Sequence, residues 1–114
     1  MSQAFDVYLD DIEEAVRRVE RYTAGLSYED FRGNELVQDG VCRNLAIIGE
    51  AVKRLPPKAR ERGSEIDWKK VAGLRDILVH EYASVDLGIV WDIVTTKLPD
   101  LKAAVERLRS ADWR

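Results

Sequence analysis

The sequence predicts an all-α fold, an antiparallel bundle of four main helices. Three observations lead there. Apolar residues recur at spacings of three and four along most of the chain. Seven glycines and three prolines among 114 residues leave few turn signals. Alternating β-branched runs are scarce, which argues against a sandwich or barrel.

The first helix spans about 4–23, where Phe5, Leu9, Ile12, Val16 and Val19 form one apolar stripe. Acids crowd its first half and Arg17, Arg18 and Arg21 its second, matching the helix dipole. Gly25 ends it. Ser27 can cap a short turn over 28–32, with Asp30 at the third position. Asn34 is the N-cap expected for a second long helix, about 35–55, whose stripe is Val37, Val41, Leu45, Ile48, Val52 and Leu55. Pro56-Pro57 closes it, because proline disfavours helix in the residue before it and lacks an N–H. Residues 57–66 read as a charged connector containing Gly63, with room for one helical turn. Asp67 caps a third helix that starts at Trp68 and places Val71, Leu74 and Leu78 on its apolar face. Asp86 opens the last pattern, Leu87, Val90, Val94 and Leu98, continued by Leu101, Val105 and Leu108. Pro99 is placed to kink or split that helix. No repeat or linker divides the chain, so residues 1–114 are expected to form one domain.

Hydrophobic residues make up 46% and charged residues 34%, which excludes a disordered tail. A chain of this length can bury a core without disulfides or metal. A single cysteine, Cys42, excludes an internal disulfide framework and a Cys-rich zinc site. No apolar run approaches the roughly 18 residues of a membrane span. The acidic start MSQAFDVYLDD lacks the features of a signal peptide. These readings make a cytoplasmic protein without a membrane segment the expectation. Net charge is −3, but unevenly spread. Residues 1–42 hold 4 basic and 10 acidic residues, 43–75 hold 9 and 4, and 76–114 hold 5 and 7. A basic middle in an acidic chain can mark a surface for an anion; its plain alternative is a solvated helix face and loop.

No phosphate-cradling glycine motif, nucleophile elbow or metal-spaced ligand cluster occurs, so neither metal nor cofactor is expected. Chemistry concentrates around the one histidine, in Gly73-Leu74-Arg75-Asp76-Ile77-Leu78-Val79-His80-Glu81-Tyr82. Arg75 is a permanent cation suited to a phosphate oxygen. His80 can move a proton near neutral pH. Asp76, four residues before it, shares its helix face and can orient the imidazole. That trio suits a phosphodiester. Five residues at about 100° each, however, set Arg75 and His80 roughly 140° apart around an ideal helix. Either the helix loosens before His80 or a second copy of the chain completes the site across a twofold contact.

The segment Arg75-Asp76-x-x-x-His80-x-Tyr82 resembles the R-x4-H-x-Y motif of HepT-type toxins, a branch of the HEPN superfamily. The likeness extends over nearly the whole chain. It includes Arg43-Asn44-Leu45, Ile48-Gly49-Glu50-Ala51, Arg54-Leu55-Pro56, Ile66-Asp67-Trp68, Val85-Asp86-Leu87, Val90-Trp91-Asp92-Ile93-Val94 and Leu98-Pro99-Asp100-Leu101. The resemblance implies a HEPN-like helical homodimer with both motifs lining one cleft. It implies a metal-independent ribonuclease toxin of a type VII-like toxin–antitoxin system. The implied partner is a cognate MNT-type nucleotidyltransferase antitoxin, which silences the toxin by transferring AMP to the motif tyrosine, here Tyr82. Arg75 and His80 match the catalytic pair, and Asp76 the polar residue that often follows the arginine. From the same family look, Glu50 is expected inside the bundle, orienting Arg75.

Without a metal, the nearest nucleophile to a phosphodiester is the neighbouring 2′-hydroxyl, so RNA is the substrate expected rather than DNA. His80 would act on a proton at the 2′-oxygen or the 5′-leaving oxygen. Arg75 would stabilise charge on the phosphorus, and the products would be a 2′,3′-cyclic phosphate and a 5′-hydroxyl. Arg43, Lys53 and Arg54 are candidates to line the RNA cleft, against a solvated helix edge. Trp68, Trp91 and Trp113 could stack on bases, although Trp68 and Trp91 suit packing at helix faces better. Cys42 fits packing better than nucleophilic attack. The competing reading is a non-catalytic helical subunit that binds a nucleotidyltransferase or a nucleotide. The intact Arg75/His80 pair favours the enzyme, since binding alone requires no titrating group.

Overall fold

The computed structural model describes residues 3–63, 65–80 and 84–110; the side chains at 3–5, 79, 80 and 110 lie outside that description. The described residues form helices and no strand.

Helix α1 (Gln3–Thr23) buries Leu9, Ile12, Val16 and Val19 completely, as its stripe requires, with Ala15 beside them. Gly25 follows with φ 76°, the left-handed conformation that stops a helix at little cost only in glycine. Helix α2 (Tyr28–Arg32) opens with a full capping box. The Ser27 hydroxyl accepts from Asp30 N at 3.1 Å, and Ser27 N donates to the Asp30 carboxylate at 3.0 Å. Those contacts hold the Asp30 carboxyl below its ordinary pKa. Its Phe31 is fully buried.

Helix α3 (Glu35–Lys53) starts at Asn34, whose side chain accepts from Val37 N at 3.1 Å. It ends two residues before the expected Leu55, with Arg54 as C-cap. It packs against α1 on one side and, on another, against α5 (Trp68–His80). That double contact buries Cys42, Asn44, Gly49 and Ala51 in addition to the expected stripe.

The connector is more ordered than its composition suggested. Pro57–Arg62 forms a helix, α4, with proline at its first turn, where no N–H is needed. The Arg60 guanidinium donates to Val52 O at 3.1 Å and Lys53 O at 3.0 Å, capping the C-terminus of α3. The Trp68 indole donates to Arg60 O and to Gly63 O, at 3.1 and 2.8 Å, and so caps α4 in turn. Trp68 is therefore a buried packing residue; Trp91 packs on Phe31 with ring centroids 5.1 Å apart. Trp113 lies outside the described residues.

Asp86 caps α6 (Leu87–Asp92) by accepting from Gly88 N and Ile89 N. The helix is neither split nor ended at Pro99. It passes through a π-helical turn, Ile93–Lys97, into α7 (Leu98–Ser110). In a regular α-helix the Pro99 ring would crowd the Thr95 carbonyl, and its nitrogen donates nothing. The wider turn sits directly ahead of it, and the Thr95 and Thr96 hydroxyls donate to Trp91 O and Asp92 O. Leu98, Leu101, Ala104, Val105 and Leu108 then face the core. Helix α7 lies antiparallel to α1, with Lys102 3.3 Å from Glu20 and Arg109 bonded to Glu13 and Asp10.

Candidate active site

The site is built where α3 meets α5. A Cβ added to Gly49 would lie 2.9 Å from Arg75 N, closer than real Cβ atoms come, and 3.0 Å from Val71 O, tighter than most. A hydrogen at residue 49 thus lets the backbone of α5 rest on α3. This brings Arg75 beside the next residue of α3, Glu50: Arg75 Nε stands 3.3 Å from Glu50 Oε1. Arg75 Nη1 donates to Asp76 Oδ1 at 3.2 Å. Neither contact uses Nη2, which leaves part of the guanidinium fork for an anion.

These residues open onto a shallow groove of about 730 Å³. Its α3 wall is Asp39, Cys42, Arg43, Ala46, Ile47, Glu50 and Arg54; its α5 wall is Arg75 and Leu78. Three of the expected cations therefore share one groove: Arg43, Arg54 and Arg75. Arg54 is itself 3.2 Å from Glu50 Oε2, so one carboxylate bridges two guanidinium groups. Lys53 stands outside the groove lining, 3.9 Å from Asp76.

The expectation for Glu50 needs one correction. It does contact Arg75, but it stands half exposed at the groove, its side chain 41% accessible, rather than inside the bundle. The interior on that side is filled by Gly49 and the α5 backbone, so the carboxylate is directed to the rim. Asp76 is exposed and engages Arg75 and Lys53. Helix α5 continues through His80, which removes the option of a helix that loosens before it. The two motif residues leave one continuous helix roughly 140° apart. The His80 side chain, its relation to Asp76, and Tyr82 lie outside the described residues.

Cys42 is 4% exposed, and burial followed by the nearby Asp39 charge pushes its thiol pKa up to about 11. A neutral thiol is a poor nucleophile, so Cys42 belongs to the groove wall as a packing residue. Sequence reasoning passed over Asp39, Ala46, Ile47 and Leu78 as groove lining. A signal was present: Asp39, Arg43, Ala46, Glu50 and Arg54 recur at three and four, a second stripe beside the apolar one on α3.

A protein-family profile described as "Ribonuclease HepT-like" matches residues 12–108. A Thermococcus cleftensis protein named "Probable ribonuclease HepT" is 38% identical over 109 residues, covering 96% of this chain and 99% of that protein. "Putative RNase TTE0752" of Caldanaerobacter subterraneus subsp. tengcongensis is 38% identical, over 89% of this chain and 90% of its own. A Methanocaldococcus jannaschii protein named "Gamma-glutamylcyclotransferase and putative RNase MJ0434" is 39% identical over 95% of this chain, which spans only 49% of that relative. No solved structure matches. The helical architecture agrees with the profile match and with relatives aligned nearly end to end: the chain belongs to the HepT-like ribonuclease family.

Proposed function

We propose that the protein is a metal-independent endoribonuclease toxin that cuts RNA in a cleft shared by two copies of the chain. The observation that carries this reading is the Arg75 guanidinium, paired with Glu50 in the wall of a groove also lined by Arg43 and Arg54. A phosphodiester entering there meets three cations. Arg75 stabilises the charge that builds on the phosphorus as the 2′-oxygen attacks, and a 2′,3′-cyclic phosphate and a 5′-hydroxyl leave. His80 carries the proton. With one histidine per chain and about 140° between Arg75 and His80 on a regular helix, a homodimer supplies both proton roles across its interface. The exposed Ile77 and the groove's half-buried Ala46 and Ile47 provide apolar surface for that second copy. Relatives named as ribonucleases support the activity.

Control in this reading belongs to a nucleotidyltransferase of the MNT type that transfers AMP to Tyr82. Two residues from His80, the added phosphate would compete for Arg75 and fill the cleft. Cleavage of a labelled RNA by purified protein is the test. Arg75→Ala and His80→Ala should each abolish cleavage while retaining helicity, and EDTA should leave it intact. Inhibition by EDTA that Mg²⁺ reverses would overturn the metal-free mechanism. Full cleavage by His80→Ala would overturn the catalytic assignment of His80, and no cleavage by the unmodified protein would favour a helical binding subunit.

A further inference from the structure

Outside the groove, cations without a carboxylate partner gather on α4 and the start of α5; Arg21, over the Tyr22 ring, and Lys97 are isolated cases among the described residues. Arg17, Arg18, Arg32, Lys102, Arg107 and Arg109 each meet a carboxylate. Lys58 and Arg62 on α4 and Lys69 and Lys70 in the first turn of α5 are exposed, and none has an ion pair or side-chain hydrogen bond among the described residues. Few acids are there to neutralise them. Glu65 pairs with Arg107, and Asp67 accepts from Lys70 N as the cap of α5. Glu61 and Asp67, which keeps its charge, leave two acids against four cations in that stretch.

The placement runs against local preference. The first turn of α5 contains two lysines and no acid, although the positive end of a helix disfavours cations. The Asp67 cap offsets part of that cost, and the two lysines have no ion pair of their own among the described residues, so their charge is available to an anionic ligand. The surface is also rigid. Trp68 ties α4 to α5, and Arg60 ties α4 to the end of α3. It adjoins the groove through α3 alone: Arg54 lies three residues before α4, whereas Lys70, five residues from Arg75 on α5, lies roughly 140° around the helix from it.

We propose that α4 and the first turn of α5 form a second docking surface, which holds the phosphate backbone of the RNA strand flanking the groove. The identity of the ligand rests on the ribonuclease reading. The four cations act without base readout, as mobile point charges spaced along a fixed surface, and so lend affinity rather than sequence preference.

Binding of a fluorescein-labelled single-stranded RNA, followed by anisotropy over a salt series, tests this in a His80→Ala background where no cleavage intrudes. Each lost phosphate contact should lower the salt slope by about 0.7. The variant K58Q/R62Q/K69Q/K70Q should thus lose about 3 units of slope and at least about ten-fold in affinity near physiological salt. The pairs K58Q/R62Q and K69Q/K70Q should each lose about half the slope, so the result survives a folding defect in the fourfold variant. A control, R17Q/R18Q/R21Q/K97Q, makes the same charge change elsewhere and should keep most of the affinity. Unchanged binding in the patch variants, an equal loss in the control, or no RNA binding at all would overturn the proposal. If the unmodified protein cuts no RNA, the ribonuclease reading fails separately, because this assay reads binding alone.

Discussion

Two helix pairs hold this molecule together in different ways. Helices α1 and α7 meet across Leu, Ile and Val side chains, and their exposed edges are closed by Lys102–Glu20 and by Arg109 with Glu13 and Asp10. Lys102 and Arg109 of α7 are each matched by acids on α1. Helices α3 and α5 meet at Gly49, backbone against backbone, and their charges are gathered on one side. There Glu50 serves both Arg54 and Arg75, and the groove is lined by three arginines against two acids, Asp39 and Glu50. The first contact is built for cohesion. The second fixes one guanidinium within a narrow range while keeping a net positive groove.

Substitutions can separate the two roles. Leu9→Ala removes a fully buried α1 side chain and should cost about 2–5 kcal/mol by urea denaturation, the largest stability effect expected here. RNA cleavage measured well below its melting temperature should be retained. Gly49→Ala should cost less, because crowding of about 1–3 kcal/mol is offset by roughly 1 kcal/mol of helix propensity. Its added methyl meets Arg75 N and Val71 O, which are backbone and can yield only by moving α5. Cleavage should therefore fall steeply even where the protein is folded. If Leu9→Ala and Gly49→Ala impair cleavage alike, the division between the two contacts is wrong. Lys102→Gln breaks a pair whose side chains are 43% and 49% exposed and should change stability by no more than about 1 kcal/mol, with cleavage unaltered.

Local signals accounted for most of the fold. The stripes of α1 and α3, the caps at Ser27, Asn34, Asp67 and Asp86, and the start of α5 at Trp68 are all written in neighbouring residues. The extent of α4 was not legible, because its ends are fastened by Arg60 and Trp68 to partners eight residues away in sequence. Nor was the π turn, since proline at position 99 announces a disturbance without saying how the backbone absorbs it. In the site, Arg75 and its motif were visible as a spacing. The pairing with Glu50 at the rim depends on the close approach at Gly49, a property of two helices distant in sequence. The groove's second stripe on α3 was visible in principle, hidden by the stronger apolar stripe beside it.

The wide turn before Pro99 also bears on how the chain tolerates changes in its own length. A turn closed by i→i+5 bonds, such as Leu98 N to Ile93 O, holds one residue more than an α-helical turn. Losing one residue within Ile93–Lys97, together with replacement of Pro99, would let the helix tighten to ordinary geometry while Val90 and Leu101 kept facing the same core. The same deletion inside α1 would turn everything beyond it by about 100° and carry the apolar stripe into solvent. The segment is thus a slack point in an otherwise fixed count of residues, where one residue can be lost, with Pro99 replaced, without remaking the interior.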